Sequence, residues 1–188
     1  MNMDRLVIKQ ILGNEQVTQY YVVSLIGKTL VLLIAPINTI VISYLTKRKE
    51  RLTRSQFGKA VFTGGGVSLV FFVACQIGTP LFVWLFYRNL YESVKGIVTV
   101  VNLAQILGLF SAFLFILVLT FTDERWQLWI QLAHFCILLV SSVFAARTYG
   151  MMGFAVASLG ANSLRVAAVV ILGIVKAGKD KGDRNADR

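Results

Sequence analysis

Lys28 and Arg165 stand inside long apolar runs, and a charge in such a place is a candidate for chemistry. Lys28 lies ten residues into one run, flanked by Ile26, Gly27, Thr29 and Leu30. A charge at the centre of a bilayer costs about 2.5–3.5 kcal/mol on insertion scales. Such residues face a bundle interior or a wet cavity, or their stems snorkel to the membrane surface. Arg165 is fourteen residues into the last run, with Ser158 and Asn162 at helical spacing before it, so the three form one polar stripe. A buried arginine of this kind is satisfied by helix carbonyls, a structural carboxylate or a ligand. Asp4 is the one acidic residue near an apolar run at that end of the sequence pattern. Lys28 is therefore expected to lack a neighbouring carboxylate, and the excess of cation favours an anionic ligand such as a phosphate.

Other residue types offer less. His134 is alone on an apolar helix and reads as a hydrogen-bonded packing residue rather than a proton relay. Gly64-Gly65-Gly66 is followed by no Lys-Ser/Thr, so it is not a phosphate loop. Asp123 and Glu124 are neighbours in a loop, where solvated charge is the ordinary reading. Cys75 and Cys136 have no metal spacing and read as core or lipid-facing residues. No catalytic set, metal site or cofactor motif is found. Gly153, Ala157 and Ala161 recur every four residues, a small-residue face for close helix contact.

These residues must be positioned by membrane helices. Hydrophobic residues make up 56% of the 188, charged residues only 15%, and the mean hydropathy is +0.70. The formal net charge of +10 then reads as cationic loops beside anionic lipid, not as nucleic-acid binding. The expected fold is an all-α integral membrane protein. It has about five full transmembrane helices, at 18–45, 60–87, 97–121, 128–146 and 151–175, after the end of a preceding helix that stops at Gly13-Asn14. Pro36 is expected to kink the first of these, and Pro80 to break the second. Residues 1–176 form one membrane domain, and 177–188 a basic, disordered cytoplasmic tail.

Charge sets the orientation. Lys47, Arg48, Lys49, Arg51, Arg54 and Lys59 follow one span, Arg125 another, and Lys176, Lys179, Lys181, Arg184 and Arg188 the last. Alternating spans put these on one side, against Arg5, Lys9, Arg88, Lys95 and Arg147 on the other. The positive-inside rule makes the richer side, and the C-terminus, cytosolic in the plasma membrane.

Short segments carry a resemblance. Asp4-Arg5-Leu6-Val7-Ile8, Ile11-Leu12-Gly13, Val17 and Tyr20-Tyr21 resemble the seventh helix and following loop of polysaccharide flippases. Pro36-Ile37, then Ser43-Tyr44-Leu45 and a basic loop, do the same. Tyr149-Gly150-Met151-Met152-Gly153-Phe154-Ala155-Val156-Ala157 looks like the entry to that family's last helix. The family is the polysaccharide exporter branch of the multidrug/oligosaccharidyl-lipid/polysaccharide exporter superfamily. The resemblance runs to about Lys176 and covers only the C-terminal lobe of a two-lobe transporter. It implies movement of an isoprenoid diphosphate-linked saccharide across the plasma membrane by alternating access, for lipopolysaccharide or other cell-envelope polysaccharide biosynthesis. It also implies a partner N-terminal lobe encoded upstream. Asp4, Arg5 and Lys28 fall on the helices that line such a cavity, and Arg165 and Asn162 on the last helix. The competing readings are an inactive truncated fragment or helical scaffold, a drug exporter lobe and a membrane-embedded glycosyltransferase-type enzyme. Drug exporters use acidic sites and the enzyme needs clustered carboxylates or histidines, neither of which this chain offers.

Overall fold

The computed structural model describes residues 3–47, 53–119, 122 and 124–183, and every regular element among them is an α-helix. In order these are α1 (Met3–Leu12), α2 (Asn14–Lys47), α3 (Arg54–Phe86), α4 (Arg88–Val94), α5 (Val98–Leu119) and α6 (Glu124–Asp183). Helix is the economical choice for such apolar stretches, because each backbone donor and acceptor pairs within its own segment. Three helices are long and apolar enough to cross a membrane: α3, α5 and the stretch Arg125–Ala177 of α6. The 22 residues of α5 rise about 33 Å, matching ~30 Å of hydrocarbon. Their outer faces suit lipid: Phe62 is 85% exposed and Phe144 69%, positions that would be a liability in water.

The breaks follow local chemistry. Gly13 takes φ +94°, open to glycine, and ends α1 where the sequence places the stop. Thr53 caps α3: its side chain accepts from the Gln56 backbone N–H, and the Gln56 side chain accepts from the Thr53 N–H. The second break is Gly150, at φ 63° and ψ −146°, a region reserved for glycine. It divides α6 into arms of residues 124–149 and 151–183. The Gly153 backbone lies so close to Ala145 that a Cβ there would overlap its carbonyl oxygen. Residues eight apart in one helix never meet in this way, so the arms fold back as a hairpin. His134 reaches Asn162 across it at 3.2 Å, and Lys176 lies 5.6 Å from the Trp126 ring centroid.

Two clusters mark the ends of the bundle. One gathers Ile8, Tyr20, Val22, Val23, Val83, Val94, Ile97, Val98, Ala146 and Phe154, from around the breaks at Gly13, Tyr87 and Gly150. The other gathers Phe57, Leu114, Leu117, Val118 and Val169. Phe57 presses on Gly173, where a Cβ would overlap its ring, so the start of α3 meets the end of α6. Arg54, Lys59, Arg125 and Lys176 therefore share one end. Arg48, Lys49, Arg51, Arg184 and Arg188 of the same basic set lie outside the described residues, as does Asp123.

One expectation is corrected. Pro80 does not break its helix, because α3 continues through it to Phe86. Proline takes the N–H that would reach the Gln76 carbonyl, but α5 braces this turn. Asn102 Nδ2 donates to the Cys75 carbonyl at 3.1 Å and to Gln76 Oε1 at 3.0 Å. Thr79 Oγ1 donates to Asn102 Oδ1 at 3.2 Å, and Gln76 Nε2 to Thr99 Oγ1 at 2.9 Å. Pro36 lies inside α2, which continues through it to Lys47. The last helix runs through Asp183. Gly64 lets Phe110 and Phe113 of α5 approach α3, since a Cβ there would sit 2.9 Å from Phe113.

Asn102 makes three hydrogen bonds, and both it and Thr79 are fully buried. At about 0.6 kcal/mol per such bond in a membrane protein, Asn102→Leu is expected to cost about 2 kcal/mol. A lowered thermal midpoint of the detergent-solubilised protein would show it, and an unchanged midpoint would rule out the brace.

Candidate functional site

Asp4 and Lys28 are separated by 24 residues in sequence and joined by the Gly13 turn. That turn lays α1 back along α2, and Lys28 Nζ donates to Asp4 Oδ2 at 2.5 Å. The expectation that Lys28 lacks a neighbouring carboxylate is thus overturned. The reason is geometric: the long Lys28 side chain and the hairpin at Gly13 bring in a carboxylate that linear spacing hides. The pair is neither sealed nor solvated, with the Lys28 side chain 26% and the Asp4 side chain 20% exposed. Asp4 Oδ1 is buried without a hydrogen-bond partner. One carboxylate oxygen is therefore committed and one is idle.

Aromatic rings complete this group. Lys28 Nζ stands 6.0 Å from the Tyr20 ring centroid, the limit of a cation–π contact. Arg5 stacks its guanidinium 4.1 Å from the Tyr21 centroid, and its Nε is buried and unpartnered. Tyr20 is itself pinned edge-on to Phe154 of α6, 5.2 Å between centroids. Gly27 sets the depth of the group, since its missing side chain lets α2 rest against Gln105 of α5.

The second group lies between α5 and the α6 hairpin. Asn162 Nδ2 donates to the Ala104 carbonyl at 2.9 Å, and Asn162 Oδ1 meets His134 Nε2 at 3.2 Å. Gly108 leaves room for that amide. Both ends of Asn162 are committed within the protein, and His134 is the hydrogen-bonded packing residue its surroundings suggest. Arg165 points elsewhere, its guanidinium 5.4 Å from the Phe115 ring and its Nε buried without a partner. It forms no ion pair with the described carboxylates. Ser158 is buried on the same stripe, with Gly153 and Ala161 at the close helix contact. The structure therefore joins Asp4, Arg5 and Lys28, and separately joins Asn162 to His134. Among the described residues no hydrogen bond or ion pair links the two groups.

Chain-wide comparison adds no relative. No family model, curated protein or solved structure matches the chain. Among the described residues Asp4 pairs with Lys28, while the guanidiniums of Arg5 and Arg165 lie against the rings of Tyr21 and Phe115. Pairing Asp4 with Lys28 leaves Arg5 and Arg165 as the cations in excess. Sequence reasoning missed the Asn102–Thr79–Gln76 brace, although Asn102 is a conspicuous polar residue in the most apolar span.

Proposed function

We propose that the chain is one lobe of a membrane transporter. It moves an anionic, isoprenoid diphosphate-linked saccharide across the plasma membrane, working against a second lobe. The observation that carries this reading is Arg165: a half-buried guanidinium on an apolar helix, with no carboxylate and a buried, idle Nε. Buried cations without partners are costly, and a phosphate that supplies acceptors removes that cost. The resemblance of the α1–α2 and Gly150 segments to flippases supports the same reading, with Arg5 and Lys28 as further cations toward the ligand. In it α2, α3, α5 and the two arms of α6 are five spans, and the end holding Arg54, Arg125 and Lys176 faces the cytosol.

The test is binding of farnesyl diphosphate to the purified chain in lipid nanodiscs, with farnesol as the uncharged control. Diphosphate should bind at least tenfold tighter than farnesol, and Arg165→Gln should remove most of that advantage. Equal binding of the two would overturn the reading. The second reading, a helical scaffold without transport, draws support from the Asp4–Lys28 pair, which neutralises one cation with no ligand at all.

Sidedness is tested separately. With Cys75 and Cys136 replaced by serine, cysteines at Asn14 and Glu92 should react with an impermeant thiol reagent in intact cells. A cysteine at Arg54 should react only after permeabilisation. Reaction of the Arg54 position from outside would reverse the orientation.

A further inference from the structure

From the geometry of the α1–α2 hairpin we infer that Asp4 is a built-in competitor for the ligand's phosphate. It occupies Lys28 when the site is empty and is displaced when the diphosphate arrives. This rests on the proposed anionic ligand and adds how that ligand is admitted and released.

Three observations carry it. First, the ion pair bridges two helices, so it can open by movement of one side chain without loss of a helix. Second, it is reachable. The Lys28 and Asp4 side chains are themselves 26% and 20% exposed. Third, the pair is incomplete, since Asp4 Oδ1 has no donor although it is buried. A carboxylate held by one ammonium through one oxygen is a weaker partner than a diphosphate, which offers several oxygens and more charge.

No covalent bond changes in the exchange. A phosphate oxygen takes over the hydrogen bond and charge of Lys28 Nζ. The displaced carboxylate turns away from Lys28, and its second oxygen, already without a donor, needs no partner to be broken. Release reverses both steps. The groups able to influence Asp4 are Arg5 on its own helix and Lys28, Tyr20 and Tyr21 on α2. Arg5 is engaged with Tyr21, which leaves Lys28 as the cation that changes hands.

The affinity consequence is direct. Apparent affinity falls by the fraction of molecules whose site is competent. If Asp4 holds Lys28 about nine-tenths of the time, freeing Lys28 tightens binding about tenfold. The experiment measures farnesyl diphosphate binding to the full chain in nanodiscs. Asp4→Asn should bind about tenfold tighter than the parent, Asp4→Glu like the parent, and Lys28→Gln more weakly. The double variant Asp4→Asn/Lys28→Gln should match Lys28→Gln, because Asp4 acts only through Lys28. Inorganic diphosphate is the second probe. An equal gain with it assigns the competition to the headgroup alone, and a gain only with farnesyl diphosphate assigns it to the lipid-linked form.

A measurement on the unaltered chain covers the case in which Asp4→Asn does not fold. Dicyclohexylcarbodiimide modifies carboxyls in apolar surroundings, and farnesyl diphosphate, by releasing Asp4 from Lys28, should raise its reaction with Asp4. Binding by Asp4→Asn that equals or falls below the parent's overturns the competitor role, as does ligand protection of Asp4 from the reagent. Those results would leave the anionic-ligand reading intact if diphosphate still outbinds farnesol. Failure of every variant to prefer diphosphate overturns both.

Discussion

Gly153→Leu is expected to prevent the protein from accumulating folded in the membrane. The α6 hairpin brings the backbone of residue 153 against the Ala145 carbonyl, and any Cβ would overlap that oxygen. Overpacking a core usually costs about 1–3 kcal/mol, relieved by rotating side chains. Here the obstacle is backbone, and relief requires parting the arms, which also strains the His134–Asn162 contact. The loss should therefore meet or exceed the top of that range. Gly160→Leu is the control, since nothing lies within 4 Å of a Cβ there and helix propensity favours the change. Membrane yield and thermal midpoint should collapse for Gly153→Leu and hold for Gly160→Leu. Equal behaviour of the two would mean that the arms do not meet as described.

The second large effect concerns the Asp4–Lys28 pair. Removing one partner of a buried pair costs about 3–5 kcal/mol. This pair keeps a fifth to a quarter of its side-chain surface exposed, so Lys28→Met should cost less, about 2 kcal/mol, by leaving Asp4 without its partner. Asp4→Leu/Lys28→Met should recover most of that stability, since an apolar pair of similar volume carries no desolvation cost. Its ligand response should not recover. A double variant that is stable yet shows the parent's preference for diphosphate over farnesol would remove Lys28 from the ligand site. A double variant no more stable than Lys28→Met would show that the ion pair is not the main interaction there.

Much of the helical framework could be read from residue types. The Gly13 stop, the small-residue contact at Gly153 and Ala161, and the packing role of His134 each follow from local chemistry that spacing displays. The capping box at Thr53–Gln56 was equally legible, although hydropathy alone draws attention past it to Ala60. What spacing could not display was pairing between segments. Pro80 looks like a break until Asn102, 22 residues later, is seen to brace its turn. Lys28 looks unpaired until a turn at Gly13 delivers Asp4. Both misreadings share one cause: a polar group in an apolar helix finds its partner on a neighbouring helix, at a distance along the chain set by topology. Arg165 is the instructive contrast, because the fold supplies it with a ring and no carboxylate.

The Gly150 turn also bears on how the chain enters a membrane. Its two arms are joined without a loop, so neither can be threaded and settled before the other, and they should partition together as one preassembled unit. In the proposed orientation the charge carried across at the tip is Arg147, three residues before the turn, while Arg125 and Lys176 stay at the feet. A lone arginine at the tip makes translocation affordable, and cations at both feet oppose slippage of either arm after it. Adding residues between Tyr149 and Met151 would uncouple the arms and convert one insertion event into two.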